Sequence, residues 1–192
     1  MQRRANHTYS IEELDLSLAI KLLRTHAADR SASAGWGNQD LCERVARKCG
    51  CLPVALAVIG PTITKYHGLQ EVFGKLERRA AVSKMFVGDV VQYKYVTVDS
   101  CLAVSVNALV EAVRGRYLQL GVFPEDAAIP FGTLRRLWGE DELESTLQLL
   151  EERNILQLVE RDVPTLSDVP MPVLRLYKMH NLQHLYVIES VD

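Results

Sequence analysis

Apolar residues recur every three or four positions through most of the chain, the spacing that lines one face of a helix. Asp15 and Ser17 precede Leu18, Leu22 and Leu23, predicting a short amphipathic helix that ends near His26. "DRSASAGWGN" (29–38) is rich in Ser, Ala and Gly and reads as a loop. Asn38 is placed to cap the next helix, with Asp40 and Glu43 near its positive end and Leu41, Val45 and Cys49 along one face. Gly50 sits where a helix commonly stops and Pro53 where the next one begins, so residues 49–53 predict a tight elbow. The helix behind it carries Val54, Leu56, Val58 and Ile59, apolar nearly all round and so buried on most sides, until Pro61 kinks or ends it. Leu69, Val72, Phe73 and Leu76 mark a further helix, charged on its far side at Lys75, Glu77, Arg78 and Arg79.

"VGDVVQYKYVTVD" (87–99) is β-branched and strand-like, and reads here as a connector. Beyond it, Leu109, Val113, Tyr117 and Leu120 predict a helix ending before Phe123-Pro124. Pro130 opens a short helix with Leu134, Leu137 and Trp138, and Leu143, Leu147 and Leu150 mark the next. The period then changes. "ILQLVE" (155–160) and "VLRLYKM" (173–179) read as strands on either side of "RDVPTLSDVPMP". Asn181 is expected to cap a last helix that runs through Leu182, Leu185 and Ile188. The expected fold is mainly α. A small helical bundle (10–88) is followed by a winged-helix subdomain with a β-hairpin wing (97–192).

Composition narrows the functions open to such a fold. The chain has 192 residues, 48% of them hydrophobic, and a net charge of −2, so no global basic field draws it to nucleic acid or anionic lipid. The longest apolar run, Cys51 to Ile63, is too short to span a bilayer and holds two prolines. The N-terminus has no apolar stretch behind its basic start, so it is not read as a signal peptide. Residues 1–9 read as a polar tail or the end of something longer. The four cysteines suit a reduced, cytoplasmic chain. Cys49-x-Cys51 has no second Cys or His pair to complete a zinc site, so no metal is expected.

Four stretches, in order, carry a family resemblance. "CGCLPVALAVIG" (49–60) resembles the GLPL elbow of the NB-ARC class of STAND nucleotide switches, with the match centred on 50–56. "YSIEELDLSLAIKLLRTHA" (9–27) resembles the segment that opens that family's first helical subdomain. "RYLQLGVFPEDAAIPFGTLRRLWG" (116–139) is similar to its "FLDLGVFPED…IP…LIRLW" signature, and "YKMHNLQHL" (177–185) to its MHD motif, at 179–181 here. The class contains plant disease-resistance proteins and animal apoptotic protease-activating factors. The resemblance implies that Pro53, flanked by Gly50, Leu52 and Val54, packs against an adenine base, and that His180 reaches the β-phosphate of ADP. A proline ring is rigid and lacks an N–H, so it can press on a base at little ordering cost. Asn181 stands where the family has Asp. It keeps the capping chemistry but loses a charge expected to help hold the ADP-bound off state.

The resemblance covers only the rear of that switch. No GxxxxGK[ST] is present to cradle phosphates, and no strand ends in consecutive acidic residues to place Mg²⁺. The expectation is therefore no catalytic residue and no enzyme. The chain would be the lid and lever of an ADP/ATP-dependent signalling switch of immune or cell-death type. It would bind nucleotide only with a separate P-loop domain, and it would be able to join a family oligomer. A nucleotide-independent module that docks on intact family members is the alternative. DNA binding is disfavoured. The third helix of the winged-helix unit, "EDELESTLQLLEERN" (140–154), sets Glu140, Asp141, Glu142, Glu144, Glu151 and Glu152 against Arg153, and Arg135 and Arg136 do not offset them. Glu125 and Asp126 of "FPED" read as a solvated turn rather than a catalytic pair. Phe123, Trp138 and Tyr117 read as core, and His184 as a surface or satisfied core histidine.

Overall fold

The computed structural model describes residues 13–64, 67–86, 93–161 and 174–190. The tail at 1–9, "VGDVV" and most of "RDVPTLSDVPMP" lie outside the described residues. The front half is helical: α1 (Leu16–His26), α2 (Gln39–Lys48), α3 (Pro53–Ile59), then a 3-10 turn at Gly60–Thr62, and α4 (Leu69–Phe86). Asp15 caps α1 and Asn38 caps α2, each accepting a hydrogen bond from the main-chain N–H three residues on, at 3.0 Å. The apolar α3 is the hub. Its Ala55, Leu56, Val58 and Ile59 are buried, and α1 and a later helix, α5 (Tyr93–Asn107), pack on it. Gly60 allows the close approach of α1, since a Cβ there would lie 2.5 Å from Cβ of His26.

The expected connector gives way to a helix, α5 (Tyr93–Asn107). Val98, Cys101, Leu102, Val104 and Val106 are all buried, and the helix is packed by α3 and α4 of the front half and by α9 (Asn181–Glu189) of the rear half. Burial on several faces outweighs the strand preference of its β-branched residues. The two halves therefore share one hydrophobic core through α5.

The rear half follows as α6 (Glu111–Gln119), α7 (Phe131–Trp138) and α8 (Leu143–Glu152), then strands β2 (Gln157–Arg161) and β3 (Leu174–Lys178), and α9 (Asn181–Glu189). β2 and β3 pair antiparallel, with Leu158 opposite Tyr177. A two-residue strand, β1 (Ile129–Pro130), pairs with the other edge of β3, so the sheet has three strands with β3 central. The guanidinium of Arg175 on β3 grips Glu144 of α8 through two bonds of 2.8 and 3.0 Å and stacks over Phe131.

α9 turns two polar residues inward. Gln183, His184, Tyr186 and Val187 point inward, while Leu185 and Ile188 remain 44% and 42% exposed. The two polar residues can be inside because both are bonded there. His184 Nε2 donates to the Phe123 carbonyl at 2.7 Å, and Gln183 Nε2 donates to the Asn154 carbonyl at 2.7 Å. Tyr117 is fully buried, with Phe123 and Trp138 partly so.

Candidate functional site

Backbone geometry makes the elbow. α2 ends at Lys48, and Gly50 (φ 62) and Cys51 (φ 50) follow in the left-handed region. Glycine enters that region freely and cysteine does not. The conformation is held by main-chain bonds: Gly50 N–H to the Arg47 carbonyl, Cys51 N–H to the Ala46 carbonyl at 3.1 Å, and Leu14 N–H to the Cys51 carbonyl at 3.2 Å. Leu52 is extended (φ −85, ψ 126), half-buried and packed against the core. Pro53 then takes the first helical position, with its ring exposed.

Behind the elbow, the fully buried thiol of Cys101 lies 3.9 Å from Cys49 Sγ. That contact, with burial, pushes the Cys101 thiol well above its ordinary range. Among the described residues, no three His, Cys, Asp or Glu side chains gather to hold a metal ion.

Side chains make the second candidate site, at the β3–α9 turn. His180, not Asn181, caps α9: its Nδ1 accepts the Leu182 N–H at 3.2 Å. In return the His180 N–H donates to Gln183 Oε1 at 3.0 Å. The physical reason is position. Asn181 already has helical geometry as the first residue of α9, so its side chain turns outward and donates to Asp126 Oδ2 at 3.4 Å. The cap also sets the state of the exposed His180 ring. Nδ1 accepts and so carries no proton, which puts the proton of the neutral ring on Nε2 and leaves that nitrogen as a donor. Asp126 braces the turn from the other side with an ion pair to Lys178 at 2.9 Å. The Lys178 bond, then the Asn181 bond and the nearby His180, hold its carboxyl below the usual carboxylate range. The "FPED" turn is thus an anchor for the His180 turn.

The elbow helix and the His180 turn are joined by a hydrogen-bonded bridge. Asn154 Nδ2 donates to the Ala57 carbonyl of α3 at 3.0 Å and lies 3.3 Å from His26 Nδ1 on α1. The Asn154 carbonyl accepts from Gln183 Nε2, and Gln183 Oε1 accepts from the His180 N–H. Two residues, Asn154 and Gln183, thus link the helix that starts at Pro53 to the main chain of His180. Sequence reading assigned no role to Asn154, Gln183 or His26. A signal was present for Asn154: an Asn closing a helix and preceding a strand favours the left-handed region, where it sits at φ 54. Gln183, three residues after the cap, occupies the capping-box position.

A bundle joined to a three-helix unit with a hairpin and a closing helix defines a helical, winged-helix-like class of domain. No family model matches the chain. Two proteins of Arabidopsis thaliana are similar to it. "Disease resistance protein ADR1" is 26% identical over 171 residues, 84% of this chain and 20% of that protein. "Probable disease resistance protein At4g33300" is 28% identical over 134 residues, 69% of this chain and 16% of that protein. The chain therefore resembles plant disease-resistance proteins over most of its length, and it spans about a fifth or less of theirs.

Proposed function

We propose that this chain is the lid-and-lever portion of an ADP/ATP-dependent NB-ARC switch in resistance-type signalling. The observation that carries the reading is the bridge from Ala57 through Asn154 and Gln183 to His180. It couples the two elements that the family uses to contact nucleotide. In this reading Pro53 packs on the adenine of a nucleotide held by a P-loop domain, with Gly50 shaping the elbow and Leu52 excluding water. The Nε2–H of His180 donates to a phosphate oxygen. Such a contact exists only while the phosphate is in place, so it gives the closed and open states different energies, as any switch requires. Asn181 bonds Asp126 instead of adding a carboxylate next to the phosphate, and the off state is correspondingly less tightly governed.

The test is reconstitution. The chain is mixed with, or fused behind, a P-loop nucleotide-binding domain of a plant disease-resistance protein, and ADP dissociation is followed. Slower release with the chain present, lost in His180→Ala and in Pro53→Ala, supports the reading. Unchanged release in all three supports a nucleotide-independent docking module instead. The isolated chain is expected to hydrolyse no ATP above background.

A further inference from the structure

Beyond the far end of α3 lies a cavity of about 350 Å³, lined by Thr62, Thr64, His67, Lys75, Asn107 and Arg153 among others. Thr62 follows α3 and its 3-10 turn, so the cavity starts roughly 15 Å from Pro53 at 1.5 Å per α-helical and 2 Å per 3-10 residue. A second hollow of about 360 Å³ shares Lys75 and Asn107 with it and adds Arg78 and Arg79. Among the described residues that line either hollow there is no Asp or Glu.

Two carboxylates face the cations from outside. Glu71 pairs with Lys75 at 2.8 Å and with His67 at 2.7 Å, and Asp99 pairs with Arg79 at 3.6 Å. Arg153 differs. It is half-buried and its side chain makes no hydrogen bond or ion pair among the described residues, with the charge of its neighbour Glu152 acting on it. Burial disfavours its charged form and pushes its pKa down. A guanidinium removed from water with its donors unspent is costly, and an anion offsets that cost. α5 ends on this rim at Asn107, and the partial negative charge of its C-terminus weakens but does not cancel the field of full cations.

We propose that the cavity binds a compact soluble anion with clustered phosphates, gripped chiefly by Arg153 and secondarily by Lys75. The planar fork of Arg153 suits phosphate oxygens, and the volume fits a small ligand. The site is separate from any nucleotide at the elbow. Because Arg153 immediately precedes Asn154, the anion also steadies the turn that carries the bridge.

Inorganic tripolyphosphate is the probe. It is titrated into the full chain by calorimetry at about 0.15 M salt, where long-range charge effects are screened. Saturable one-to-one binding is expected, weakened about tenfold or more by Arg153→Met and less by Lys75→Met. Arg153→Lys, which keeps the charge and loses the fork, should fall between wild type and Arg153→Met. Arg136→Met, an equal charge change on the exposed face of α7, should leave binding within about twofold, well short of the roughly tenfold loss expected of Arg153→Met. Absence of saturable binding to the wild-type chain, or equal weakening by Arg136→Met and Arg153→Met, would overturn the proposal.

Discussion

The elbow into α3 and the turn into α9 are both short helix entries, and they are held by different forces. Leu52 caps α3 with no side-chain bond, and the elbow rests on main-chain bonds and on the buried aliphatic face of Ala55, Leu56, Val58 and Ile59. The α9 entry rests on side-chain bonds: His180 to Leu182, Gln183 to His180 and to Asn154, and Asp126 to Lys178 and Asn181. Apolar burial involves no titrating group, and it holds α3 in one place. Individual hydrogen bonds contribute only about 1 kcal/mol each and can be exchanged for others. A fixed elbow and an exchangeable turn are what a lid requires if it must stay attached and still release.

The comparison can be broken in order of size. Leu56→Ala, in the fully buried face of α3, should cost about 2–5 kcal/mol by urea denaturation. A much smaller loss would mean that the elbow is not held by burial. Gly60→Ala forces a methyl group against His26 and should cost about 1–3 kcal/mol. Asn154→Gly keeps the left-handed backbone and deletes the donor to Ala57. It should cost about 1–2 kcal/mol and should raise amide exchange in the α9 entry more than in α3.

Effects of pH should be smaller still and should separate the two regions. Burial, then the charge of Arg30, holds the His26 imidazole below the ordinary value of 6.5. The unfolded chain therefore takes up that proton first. Stability should be complete above pH 6.5 and decline as pH falls below it, because Nδ1 must stay unprotonated to face the Asn154 amide. A flat thermal midpoint between pH 7.5 and 5.5 would contradict this. Asp126 has its folded pKa lowered, so its contribution is present above about pH 3.8 and lost below. Asp126→Asn should have the smallest effect of the series and one that fades with added salt, since the pair with Lys178 is exposed.

Much of this was legible in the sequence where local rules govern. Asn38, Asp15, Gly50 and Pro53 announce caps and an elbow by chemistry that acts over three or four residues, and the structure follows them. α5 was missed because its residues favour strands locally and become helical through packing on α3, α4 and α9. The inward face of α9 does not follow apolar spacing, which would put Leu185 and Ile188 inside. Hydrogen bonds to distant Asn154 and Phe123 bring Gln183 and His184 in instead. Pro53 and His180 were visible as candidates. The bridge between them was not, since it depends on Asn154, 97 residues from Ala57.

If the chain is a nucleotide lid, the bridge through Asn154 and Gln183 transmits its hold on ADP. In the reconstituted switch, the ADP release rate of Asn154→Gly and Gln183→Ala should be measured beside wild type, with folding checked by circular dichroism. Faster release from both variants, each of which keeps the Pro53 and His180 side chains proposed to touch nucleotide, is the predicted result. Release at the wild-type rate from folded variants would contradict the account.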